Sequence, residues 1–312
     1  MIRLQSSWLL ESATEVASIE SLFFPFIHRY SSLNWFSRRE MPMTVNNPLD
    51  SQAMLLRVWL EGKNGHFSEK NRRKFNQVIK KPLELDMNPF RAWNDRLFDR
   101  KQLDYLFYWR ESAYEIEEVA QREIFWSAVY AIMSYWHSNR KIGRAPAYEP
   151  DEIMHYVLQM HKDNLNKKEC DLTLLSAPFE EIEAPEVSLA VFPLIFSDEE
   201  SEENQLQSIF HAWLHGHADT EQASRDIKNQ LRKYSFSLEK KTDFPNYLRL
   251  GANADVVAIC WSGEELPPRI HEQEIIDPFR REFSNHFSRS RFSIKTINPT
   301  TDTYDYLLLF FN

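Results

Sequence analysis

The chain has 312 residues, of which 43% are hydrophobic, 27% charged and 14% aromatic, with a formal net charge of −9. That balance suits one large or two ordinary folded domains, excludes wholesale disorder, and gives no global attraction to nucleic acid or an anionic membrane. Only six glycines are present, Gly62, Gly65, Gly143, Gly216, Gly251 and Gly263; no G-x-G-x-x-G or G-x-x-x-x-G-K-[ST] can be assembled from them, which excludes a P-loop and argues against a standard dinucleotide-binding domain.

In chain order, residues 1–40 read as one or two amphipathic helices. Leu9, Leu10, Ala13, Val16 and Ala17 recur at helical spacing, and Leu22, Phe23, Phe26, Ile27 and Tyr30 continue the pattern. The opening MIRLQSSWLLESATEV has no basic segment followed by a long apolar one, so a signal peptide is not expected. No apolar run approaches the ~18 residues of a membrane span. Cytoplasmic location is therefore the expectation. Pro42, Asn46, Asn47 and Pro48 mark a loop. A helix follows over about 51–60, and a basic helix over 68–79 with Ser68 as its cap.

From Asn88 to Trp136 the pattern is strongly helical, and Asn88-Pro89 reads as a helix start. Ile124, Phe125, Ala128, Val129, Ile132, Met133 and Trp136 make a wide apolar face, the pattern of a buried central helix. Asp151 caps a further predicted helix to about residue 164. Near residue 170 the texture changes. DLTLLS (171–176), SLAVFPLIF (188–196) and DVVAICW (255–261) are strand-like, and 292–297 with 304–311 read as a terminal hairpin. Helices fill about 201–233 and 271–288. The predicted fold is therefore mixed α+β, with a helical domain over 1–168 and an α/β domain over 169–312 whose short mixed sheet ends in an antiparallel hairpin.

The densest polar cluster is His211-Ala-Trp-Leu-His215-Gly-His217-Ala-Asp219. His211 and His215, at i and i+4, share one face of a helix and can present two imidazoles to one metal, although Ala212 stands where a zincin helix carries glutamate. His215-x-His217-x-Asp219 resembles the H-x-H-x-D-H metal loop of metallo-β-lactamase-type hydrolases, with Thr220 in place of the last histidine. That resemblance implies His215 and His217 on one metal and Asp219 on a second. Glu239-Lys240-Lys241, with Asp226 upstream, is the minimum of a restriction-type nuclease site. Ser262-Gly263 is half of a nucleophile elbow, with Cys260 where the first glycine would stand. Arg281 and His286 form an R-x4-H spacing.

Two basic islands carry the residues for phosphate contact. One holds Lys70, Arg72, Arg73 and Lys74. The other holds Arg280, Arg281, Arg289 and Arg291, interleaved with Phe279, Phe283, Phe287 and Phe292. Nine acids and no base lie between Glu180 and Glu203, a solvated stretch or a docking site for a basic partner. Three readings follow. The first is a non-enzymatic interaction subunit of a cytoplasmic assembly, with a protein partner and nucleic-acid contact through the islands. The second is a metal-dependent hydrolase or nuclease using His211–Asp219 with a divalent metal. The third is a degenerate α/β enzyme fold that binds a small ligand at its strand ends. No organic cofactor and no membrane are expected.

Overall fold

The computed structural model describes residues 6–26, 41–47, 49–60, 70, 73, 75–77, 88–93, 98–140, 152, 154–155, 171–194, 202–217, 219, 221–222, 224–225, 228–229, 244–263, 270–298 and 303–312. Helices and a seven-stranded mixed sheet make an α+β fold ending in an antiparallel hairpin, as the sequence implies. The compact units do not follow the chain in order. One comprises residues 1–50, 170–199 and 229–312; the other comprises 51–169 and 200–228.

In the first unit the strands are β1 (Leu22–Phe24), β2 (Met43–Asn46), β3 (Leu172–Leu175), β4 (Val187–Pro193), β5 (Ala254–Ser262), β6 (Arg289–Asn298) and β7 (Thr303–Phe311). Their spatial order is β3-β2-β1-β4-β5-β7-β6. The first five are mutually parallel, whereas β7 runs antiparallel to both β5 and β6. β1 is buried throughout, and β4 and β5 nearly so. Such strands, covered on both faces, carry continuous apolar runs rather than alternation.

Residues 22–24 and 43–46 correct the reading of 1–50 as helix followed by loop. Before α2 begins at Asp50, only Ser6–Thr14 (α1) is helical among the described residues there, and the apolar Leu22-Phe23-Phe24 pairs with Met43–Val45 as sheet. A three-residue run buried on both faces has no period by which to tell it from a buried helix turn. The later strands lie where expected, with ends shifted by at most three residues. Helices Phe244–Gly251 (α6) and Glu272–Phe283 (α7) complete this unit. Phe279 of α7 packs edge-on against Phe244 at 4.9 Å and Tyr247 at 5.7 Å, and Phe283 stacks on Phe310 of β7 at 4.7 Å.

The second unit is built on α2 (Asp50–Leu60), α3 (Arg100–Ala113), α4 (Val119–Arg140) and α5 (Glu202–Leu214). The division after residue 50 falls one residue inside α2, which is a continuous helix from Asp50. α4 is the expected buried helix, with Ile124, Phe125, Ala128, Val129, Ile132, Met133 and Trp136 all in the core. Asn88-Pro89 opens a short 3-10 turn (Pro89–Trp93) rather than the long helix. The helix proper starts at α3, where Asp99 Oδ1 accepts the Gln102 amide and Gln102 Oε1 accepts the Asp99 amide, a capping box. Of the basic helix at 68–79 and the helix at 151–164, residues 70, 73, 75–77, 152, 154 and 155 are described and helical.

Candidate functional site

Two places concentrate polar chemistry. The first is the carboxyl edge of the parallel strands. In chain order the sheet grows outward from β1 to β2 and β3, then resumes on the other side of β1 with β4 and β5. The direction of winding therefore reverses between β1 and β4, which makes a topological switch point. Beyond β1 come Pro25 and the buried Phe26; beyond β4 comes the buried Leu194. Asn46, wholly buried at the end of β2, ties two of the turns together. Its Nδ2 donates to the carbonyls of Pro25 (3.2 Å) and Ala177 (3.1 Å), and its Oδ1 accepts the Ala177 amide (3.0 Å). Asn47 Oδ1 accepts the Leu49 amide at 3.1 Å. The Asn46 amide thus directs both its donor and its acceptor at backbone, which a buried amide requires.

The second place is the end of α5. Arg110 of α3 closes it, with Nε donating to the Trp213 carbonyl at 2.8 Å and Nη2 to that of Leu214 at 3.4 Å. Gly216 takes a left-handed φ of 73°. His217 N donates to Ala212 O (2.8 Å) and Gly216 N to Trp213 O (3.0 Å), the paired bonds of a Schellman stop. His211 and His215, one turn apart before that stop, bring their ring centroids to 4.5 Å. Ser51 Oγ lies 2.9 Å from His211 Nδ1. Asp50, His211 and His215 each offer one ligand atom, and these atoms lie within 4.8 Å of one another. Asp50 and His215 are exposed and His211 half-buried.

The other members of the sequence cluster point to different work. The His217 ring lies 6.4 Å from that of His215, beyond the glycine turn. Asp219 caps the next helical turn, with Oδ1 accepting the amides of Glu221 (2.8 Å) and Gln222 (3.4 Å). Neither belongs to the Asp50–His211–His215 group. Asp50 carries no signal in the sequence, because it stands 161 residues before His211 and spacing rules reach only near neighbours.

Ser262 is buried as the last residue of β5, in register with Asp305 of β7, and not on an exposed elbow. Cys260, on the same strand, is a buried free thiol whose Sγ lies 3.7 Å from the Phe192 carbonyl. Burial first, and the Asp305 carboxylate second, push this thiol well above its ordinary range. Asp226 and Glu239–Lys241 lie outside the described residues.

Of the basic islands, Lys70 and Arg73 are exposed, and Arg72 and Lys74 lie outside the described residues. Arg280 and Arg281 are exposed on the last turn of α7, and Arg289 and Arg291 at the start of β6, where Arg291 pairs with Glu15. Of the phenylalanines among them, Phe279, Phe283 and Phe287 are buried, and the half-buried Phe292 stacks on Trp261 and Tyr306. The three buried rings are therefore turned to the core and not offered as faces on which bases could stack.

No helix among the described residues is long and apolar enough to cross a membrane. Neither the protein-family models nor the sequences of curated proteins give a match to this chain.

Proposed function

We propose that the sheet unit binds a small, nucleoside-like ligand without phosphates at the carboxyl ends of β1 and β4. The observation that carries this reading is the strand order, in which the parallel strands reverse their winding between β1 and β4. In open α/β sheets the ligand crevice forms outside the carboxyl ends of the strands at such a point. The turns there limit the ligand's chemistry. Phe24-Pro25-Phe26, Asn46-Asn47 and Pro193-Leu194 contain no glycine, and close backbone approach to a pyrophosphate needs glycine. Phe24, Phe26 and Leu194 make the packing at the same edge apolar, which suits a flat heterocycle. A sulfonium nucleoside of the methyl-donor class fits these limits better than a dinucleotide.

The test is ligand-dependent unfolding of the full chain with adenosine, S-adenosylmethionine, ATP and NAD. A ligand at a hundred times its Kd adds about 2.7 kcal/mol to stability. Adenosine or the methyl donor is expected to raise Tm, and Pro193→Arg, placed at the end of β4, is expected to abolish the rise while leaving the ligand-free transition intact. No rise with either nucleoside ends this reading.

A second reading is an interaction subunit of a larger assembly, with a protein partner and nucleic acid held through arginines. It is favoured by Tyr114, just past α3, and Val119, the first residue of α4, 50% and 56% exposed, and by the outward Arg280, Arg281 and Arg289. Its test is nucleic-acid binding against salt concentration. Removing both guanidinium groups in an Arg280→Ala, Arg281→Ala variant is expected to flatten the slope of log K against log salt by about 0.7–0.9 for every phosphate they neutralise. An unchanged slope ends this second reading.

A further inference from the structure

We propose that Asp50, His211 and His215 form a divalent-metal site of the two-histidine, one-carboxylate kind, with zinc as the ion it suits. The two imidazoles stand one helical turn apart on α5, which is what puts both on one side of one ion. Asp50 opens α2 and supplies the carboxylate, and the three ligand atoms lie within 4.8 Å of one another. The set is chemically consistent. Neutral imidazole and carboxylate are zinc's ordinary nitrogen and oxygen ligands, at bond lengths of about 2.0–2.2 Å.

Two further features belong to such a site. Ser51 Oγ meets Nδ1 of His211 at 2.9 Å. With Nδ1–H donating to that hydroxyl, His211 coordinates through Nε2, the tautomer and ring orientation being set by the serine, as the outer hydrogen bonds of metal-bound histidines do. The histidines also sit in the last turn of α5 and just past it, where the carbonyl ends of the helix favour a cation. Three protein ligands leave a coordination position for water or a small anion. The exposure of Asp50 and His215 keeps that side of the site reachable from solvent. This assignment is independent of the nucleoside reading, because its residues lie at the start of α2 and the end of α5 and not on the strand turns.

The test is titration of the full chain with Zn2+ by calorimetry and with Co2+ by visible absorption, the second reporting ligand type and geometry. One equivalent is expected, with a cobalt spectrum of nitrogen and oxygen ligation. Asp50→Asn and His215→Gln are each expected to weaken binding at least tenfold. His217→Gln, in the same tract but outside the group, is expected to change it less than twofold. Circular dichroism checks that each variant is folded, and the exposed His215 provides a variant free of core disruption. Absence of a stoichiometric site overturns the proposal. So does a His217→Gln loss equal to that of His215→Gln, or unchanged affinity in folded Asp50→Asn and His215→Gln, either of which marks an adventitious ion on a histidine-rich surface.

Discussion

Ser51 and His211 are 160 residues apart in the chain and meet through a 2.9 Å hydrogen bond between Oγ and Nδ1. The same pair of helices is joined by the buried Gln52 and Gln207 side chains at 2.5 Å. α2 therefore reaches α5 through two consecutive polar residues, so the position of Asp50 relative to the imidazoles is held by buried contacts and not by the exposed groups themselves.

Replacing Ser51 by alanine separates orientation from coordination. The variant keeps Asp50, His211 and His215 but removes the hydroxyl that meets Nδ1 of the His211 ring. Loss of an outer-sphere partner typically lowers metal affinity by about 10–100-fold. A single hydrogen bond contributes only about 0.5–1.5 kcal/mol to folding. Zinc affinity is thus expected to fall about tenfold while the denaturant midpoint moves little, and equal affinities for Ser51→Ala and wild type would remove the serine from the site.

Gly216 is required where it stands. An alanine there would hold φ near +73° and put its Cβ 2.7 Å from Nη2 of Arg110. Left-handed backbone costs a residue with a Cβ roughly 1–2 kcal/mol, and displacing the guanidinium loosens the cap on Trp213 and Leu214. Gly216→Ala is therefore expected to lose about 2 kcal/mol in urea unfolding. In an Arg110→Ala background the added loss should shrink to the backbone part alone. Strict additivity of the two substitutions would show that the methyl and the guanidinium do not compete for this space.

The fold is legible in the sequence where an element is long and its environment uniform. The face of α4 from Ile124 to Trp136 repeats helically over many turns, and β5 with β7 carries apolar runs longer than any turn. β1 is not legible, because three buried residues continue the apolar tally of the preceding helix without contradicting it. β2 is hidden for the opposite reason: Pro42, Asn47 and Pro48 crowd a four-residue strand so closely that loop chemistry dominates the window. Without these two strands residues 1–50 fall on the wrong side of the domain division, and the switch point between β1 and β4 cannot be drawn. At the histidine tract the i, i+4 pair is readable from helical spacing. The contribution of Asp50 is not, since the fold that brings it there is tertiary. Gly216 likewise turns His217 away through a conformation that no spacing rule for H-x-H-x-D contains.

Asn46 fixes the rim of the carboxyl edge by bonding to three backbone groups from inside the core. Asn46→Ala removes the partner of all three, one of them in a buried contact and two in part-buried ones, a loss expected at about 3 kcal/mol. Asn46→Asp is the sharper probe. An ionised carboxylate can still accept the Ala177 amide, but it faces the Pro25 and Ala177 carbonyls with no proton to give. The aspartate variant should lie well below wild type at pH 7, and the gap should narrow on acidification as its carboxyl is protonated and regains a donor. A pH-independent gap between pH 7 and pH 4 would mean that Asn46 acts by shape and not by donating.

Cys260 gives the fold an alkaline limit of predictable sign. Its folded-state pKa is raised from an ordinary value of 9.0 by burial and then by Asp305. Below pH 9 the thiol is protonated in both folded and unfolded chains and contributes no pH dependence. As pH rises above 9 the unfolded chain releases this proton while the folded chain retains it, so unfolding is progressively favoured, by up to about 1.4 kcal/mol per pH unit for one proton. Tyr306, raised in the same direction by burial, Glu272 and Tyr304, adds to the decline above its ordinary 10.0. Cys260→Ala should cost stability at pH 7 through the lost packing of its sulfur, yet fall less steeply between pH 9 and 10.5, so that the two stability curves converge. Chemical unfolding of both proteins across that range is the measurement. Parallel curves would mean that the thiolate is tolerated in the folded sheet, contrary to its burial between β4 and β7.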